Sequence, residues 1–130
     1  MNRSVGKAAA ASRESHLTLR RVERQQYLIE RLHATPEPLT IGRLALDLGV
    51  SERTIARDLE RLRHSGVPIT LTPGRGGGAQ LDHGPAPVPI DLDFPEIAAL
   101  LASLAALGPT ASDSASSAMI KLTAALRPPT

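Results

Sequence analysis

The sequence predicts a mainly helical fold: three helices closed by a β-hairpin, then a linker, then a C-terminal helical hairpin. Three observations carry that prediction. Apolar residues recur at helical spacing in five separate stretches. The second and third stretches are joined by Gly49-Val50-Ser51, the spacing of a tight turn followed by a helix cap. Behind the third stretch, a glycine-rich turn separates two short apolar runs, as in a β-hairpin.

Residues 1–16 are rich in Ala, Ser and Arg without a useful period, and read as a mobile tail or a basic arm. The first helix is expected from Thr18 to His33, where Val22, Gln25, Leu28, Ile29 and Leu32 share a face. Pro36 and Pro38 end it. Thr40 is the expected N-cap of the second helix, whose Ile41, Leu44, Ala45 and Leu48 fall at i, i+3, i+4 and i+7. Gly49 supplies a left-handed stop, Ser51 caps the third helix, and Val50 is placed to staple onto Ile55. Ile55, Leu59 and Leu62 form the buried stripe of that helix, which Gly66 and Pro68 terminate. Val67–Leu71 and Ala79–Leu81 are the expected strands, with Gly74-Arg75-Gly76-Gly77-Gly78 between them. Three helices followed by such a hairpin make a winged helix-turn-helix over residues 17–82, with 67–81 as the wing.

Residues 83–92 hold Pro85, Pro87 and Pro89 and read as a semi-rigid linker. Asp93-Phe94-Pro95-Glu96 then has the form of a cap, a first-turn proline and a capping-box carboxylate. The helix behind it is expected to bury Ile97, Leu100, Leu101, Leu104 and Leu107, and to break at Gly108-Pro109. A last helix over 112–126 offers Ala115, Ala118, Met119, Leu122 and Leu126. Together, residues 93–127 form the helical hairpin, and Arg127–Thr130 is a frayed end.

Composition narrows the function. There is no Cys, hence no disulfide framework, thiolate metal site or cysteine nucleophile. No apolar run is long enough to span a membrane, the N-terminus lacks the apolar core of a secretory signal, and a cytoplasmic protein is expected. With one Tyr, one Phe and no Trp, the chain has no aromatic platform for stacking single-stranded bases. His16, His33, His64 and His83 have no metal-ligand spacing, and no nucleophile is spaced with a base, so neither catalysis nor a cofactor is expected. The glycine-rich turn is no phosphate-binding loop: it lacks the Lys-Ser/Thr pair and precedes a strand rather than a helix.

Charge is asymmetric. Residues 1–80 hold 13 Lys and Arg against 8 Asp and Glu, and residues 81–130 hold 2 against 5. Thirteen of the 15 cations are Arg, a bias that GC-rich coding also produces. Arg53, Arg57 and Arg61 are spaced by four along one side of the third helix, with Ser51, Glu52 and Thr54 in its first turn. That half of such a helix reaches base edges in the DNA major groove, where Arg forks match guanine. The row is also compatible with a solvated face holding Arg57–Glu60 or Arg61-type ion pairs, and Asp58 is expected to pair with a neighbouring Arg. Arg75 at the hairpin tip suits phosphate or a narrow minor groove, or stands in a plain flexible turn. The candidate DNA-contacting set is therefore Thr40, Ser51, Glu52, Arg53, Thr54, Arg57, Arg61 and Arg75.

The run Leu44-Ala45-Leu46-Asp47-Leu48-Gly49-Val50-Ser51-Glu52-Arg53-Thr54-Ile55-Ala56-Arg57-Asp58-Leu59-Glu60-Arg61-Leu62 is specific, as are Gly66-Val67-Pro68-Ile69 and Gly74–Gly78. On these residues, 24–81 resembles the N-terminal DNA-binding domain of the WYL-domain transcriptional regulators, and more loosely DeoR-like and biotin-repressor winged helices. Residues 93–127 look like the helical segment that follows that domain. The resemblance implies transcriptional regulation through double-stranded DNA. The chain departs from the family at Ala79, where an aromatic often stands, and ends at Thr130 without the WYL domain. Ligand sensing therefore does not carry over. The expected partners are duplex DNA, a second copy bound through residues 93–127, and a separate WYL-containing protein. A rival reading keeps the fold but makes the chain an adaptor or antagonist of a full-length regulator.

Overall fold

The structure is a computed structural model describing residues 3–75, 77–82, 89–108 and 112–128, without side-chain detail for 3–16, 18 and 19. Five helices, α1 (Arg3–Ala34), α2 (Ile41–Leu48), α3 (Glu52–His64), α4 (Phe94–Leu107) and α5 (Asp113–Leu126), are joined by strands β1 (Ile69–Thr72) and β2 (Gly78–Leu81) between α3 and α4. This is the expected winged helix-turn-helix followed by a helical hairpin. Among the described residues no helix is long and apolar enough to cross a membrane.

One boundary differs from the sequence reading. The stretch assigned to a tail is helical from Arg3 onward, so α1 has 32 residues rather than starting at Thr18. Lys7-Ala8-Ala9-Ala10-Ala11 is strong helix-forming sequence, and no proline occurs before Pro36. A helix nucleated by packing at Leu28 and Leu32 therefore propagates back along the chain. Most of the linker expected over 83–92 lies outside the described residues, as do Gly76 at the wing tip, Pro109 and the last two residues.

Leu28 and Leu32 of α1, Leu44 and Ala45 of α2, and Ile55, Leu59 and Leu62 of α3 meet in one core, closed by Ile69, Ala79 and Leu81 of the wing. Val50 packs against this core at the turn. The strands pair antiparallel, from Ile69 opposite Leu81 to Thr72 opposite Gly78. Leu39 adds a bridge that the sequence reading missed, because prolines at 36 and 38 made its surroundings look like loop. It exchanges two backbone hydrogen bonds with Ala79, at 2.9 and 2.8 Å. The approach is so close that a Cβ at Gly78 would strike the Leu39 carbonyl, while Gly78 itself has φ +146°. The Gln80 amide also donates to the Pro36 carbonyl, tying the wing to the α1–α2 connection.

The hairpin departs from expectation in burial. Helices α4 and α5 pack on each other, yet α4 buries none of its residues and α5 buries only Ala115. Apart from Glu96 and Ser103, every side chain of α4 is apolar, so one neighbouring helix cannot cover it. Its N-terminus is fixed as expected: Asp93 and Glu96 form a reciprocal capping box, with both hydrogen bonds at 2.9 Å.

Candidate nucleic-acid interface

The surface around α3 is shaped by its two capped ends and its neighbours. Thr40 accepts a hydrogen bond from the Arg43 N–H at 3.1 Å, which starts α2. Gly49 ends α2 at φ 65°, ψ 33°, a left-handed conformation that glycine adopts without steric cost. Two residues on, the Ser51 hydroxyl accepts from the Thr54 N–H at 3.1 Å, and the two hydroxyls lie 3.0 Å apart. Both candidate hydroxyls of this turn are thus engaged in holding the N-terminus of α3. Glu52 lies against α2, its Oε1 2.8 Å from where a Cβ on Gly42 would stand. That small residue lets the two helices approach closely.

Beyond the cap, Arg53, Ala56, Arg57, Glu60 and Arg61 line one open concave surface on the outer side of α3. The structure brings the three arginines together as their spacing predicted, but their circumstances differ. Arg53 and Arg57 are exposed, and neither makes an ion pair or hydrogen bond among the described residues. Arg61 reaches back to Asp58, with Nη1 3.7 Å from Oδ1. Glu60 binds Arg63 at 2.9 Å rather than Arg57. Arg75 is exposed at the end of the wing.

The sequence reading expected Asp58 to pair with a neighbouring Arg, and Arg61 is one such partner; it did not foresee the burial of Asp58 or its pairing with Arg24. Asp58 is completely buried on the inner side of α3. Its carboxylate accepts from the Arg24 Nε on Oδ2 and from the Arg24 Nη2 on Oδ1 at 3.1 Å, with the Gln25 amide nitrogen 3.4 Å from Oδ1. The pairing with Arg61 was foreseeable at i+3, whereas the main partner stands 34 residues upstream. A signal for burial was present: Ile55, Asp58, Leu59 and Leu62 fall at i, i+3, i+4 and i+7, so Asp58 shares the core stripe. On α2, Asp47 pairs with Arg43 of the same helix at 3.3 Å and with Arg31 of α1 at 3.5 Å.

Residues 24–78 match the family model described as an HTH domain. The chain carries an HTH region. The match takes in α2, α3 and β1, covers less than half of the 130 residues, and stops before the C-terminal hairpin. No solved structure matches the chain. The HTH match supports a DNA-binding role in transcriptional regulation.

Proposed function

We propose that the chain is a sequence-specific regulator of transcription that binds double-stranded DNA with α3 in the major groove. The observation that carries this reading is that, among the described residues, Arg53 and Arg57 on the open face of α3 have no ion-pair partner, while the buried Asp58 of the same helix is paired with Arg24. Two free guanidinium forks on one exposed helix face are suited to bidentate contacts with guanine. Thr54 stands beside them as a third base-edge contact. Ser51, Glu52 and Arg61 flank the row and help to set the helix against the backbone. Thr40 at the start of α2 and Arg75 on the wing reach phosphates or the adjacent minor groove.

One such module buries about 600–1,000 Å² of its own surface on DNA, so a single copy binds weakly. The apolar hairpin over 93–127 joins two copies and places two recognition helices on half-sites about one helical turn apart, or a multiple of it. The same exposed hairpin also favours the rival reading, an adaptor that pairs with a separate regulator. Binding to random duplex across a salt series separates them. A regulator binds at low salt and weakens as salt rises, because phosphate contacts release counterions. An absence of duplex affinity at low salt would overturn the proposal in favour of the adaptor. Selection from a random duplex pool then returns the operator and its half-site symmetry.

A further inference from the structure

We infer that the Arg24–Asp58 pair is a positioning device that fixes the pose of α3, and through it the sequence discrimination of Arg53 and Arg57. The inference rests on the DNA-binding reading of α3. A carboxylate in the core stripe of the helix is costly to desolvate, and burial of one ion pair is often no better for stability than an apolar pair of similar volume. Leucine at position 58 would extend the stripe of Ile55, Leu59 and Leu62 and serve the core directly. What an apolar side chain lacks is direction. Hydrophobic contact is non-directional, so a greasy stripe alone lets a helix roll and slide by small amounts on its support.

The two-point grip of Arg24 on both oxygens of Asp58 removes that freedom, because a guanidinium fork meets a carboxylate in one plane and one register. Gln25 adds a third donor from the same turn of α1. Arg24 also borders the helix-turn-helix corner at Leu48, Gly49 and Val50, so one side chain references α3 to both α1 and the turn. Asp58 follows Arg57 directly in sequence, and its anchor therefore sets where that guanidinium emerges. The partial hold on Arg61 at 3.7 Å divides the row, leaving Arg53 and Arg57 for bases and drawing Arg61 toward the helix rim.

The test is the double variant R24M/D58L in the full chain, compared with the parent on the selected operator and on random duplex at a temperature where both are folded by circular dichroism. The double variant is expected to melt near the parent temperature and to keep salt-dependent binding to random duplex. Its preference for operator over random duplex falls about tenfold, the scale of one bidentate base contact. A folded double variant with the parent's full preference overturns the inference. Asp58→Asn carries the same comparison if the double variant fails to fold, because it keeps the side-chain size while removing the charge and turning one of the two acceptor oxygens that Arg24 grips into a donor. Retained preference in that variant is equally decisive against the inference. A parent with no duplex affinity at all removes the DNA-binding reading, and this inference with it, which is a different failure from retained preference.

Discussion

Arg53 and Arg57 have the same chemistry as Arg61 and Arg63, and only their partners differ. Arg61 is drawn to Asp58 and Arg63 to Glu60, so the electrostatic work of those two is partly done within the protein. Arg53→Ala and Arg57→Ala are therefore expected to cost about 1–3 kcal/mol each on the selected operator, with lost discrimination at the base each one faces. Arg→Lys at either position keeps the charge and loses the fork, so random-duplex affinity is retained while discrimination drops. Fluorescence anisotropy on operator and on single-base variants reads both effects. An equal loss on every sequence would mean that the two side chains contact phosphate instead of bases. At this scale the sequence was legible wherever a side chain acts on its own neighbours: Thr40, Gly49, Ser51 and the Asp93–Glu96 box all stand as their local patterns predicted. It was not legible at Asp58, whose decisive partner lies on another helix, so no local spacing identifies it.

Between elements, the most informative contact is the one that seats the hairpin on α1. The Ser114 N–H, in the first turn of α5, donates to Glu30 Oε1 of α1 at 2.9 Å. The free backbone donors at a helix start favour an anion there, and Glu30 occupies that position from 84 residues away. The Ser114 N–H, and then the Ser114 hydroxyl, hold the Glu30 carboxyl below its ordinary value near 4.5, against the opposing effect of burial and with a lesser contribution from the Ser112 hydroxyl. A depressed acid stabilises the docked state at pH above its undocked value, and that contribution disappears as pH falls through the lowered value. The docking contact is thus constant from neutral pH down to about 4.5 and weakens below it. Glu30→Gln is expected to give a hairpin whose α5 amides have lower protection factors at pH 7, and whose protection, corrected for the intrinsic pH dependence of exchange, no longer falls on acidification through that window. Amide hydrogen exchange followed by NMR checks this, and an unchanged acid response in the variant would place the titrating group elsewhere. Glu30 sits among helix-one residues with nothing in the sequence to connect it to Ser114, just as Leu39 had nothing to connect it to Ala79. Such long-range pairings are set by how the elements pack, which periodicity within one element does not encode.

For the molecule as a whole, the winged domain and the hairpin solve the burial problem differently. The winged domain encloses Leu28, Leu44, Ile55 and Leu59 completely, whereas the hairpin leaves Phe94 65% and Ile120 72% exposed, with Leu100 half-exposed. The apolar stripes of α4 and α5 were legible, but the expectation that they would be buried required a covering surface that the described residues of one copy do not provide. Burying that surface against its own equivalent would give a closed two-fold interface, the commonest symmetry among homo-oligomers. Sedimentation at about tens of micromolar, above the weak end of specific association, is expected to return twice the 13.7 kDa chain mass. Leu100→Glu and Ile120→Glu place charges on side chains that the single chain leaves open, so each is expected to shift the mass toward one copy without unfolding the winged domain. On DNA, the separated copies keep affinity for one half-site and lose the added affinity of two linked half-sites. A parent chain that sediments as a single copy at that concentration would refute the two-copy assembly, and the hairpin would then belong to an interface with a different protein. A dimeric parent whose operator affinity is untouched by either glutamate would separate assembly from recognition, leaving α3 to bind DNA one copy at a time.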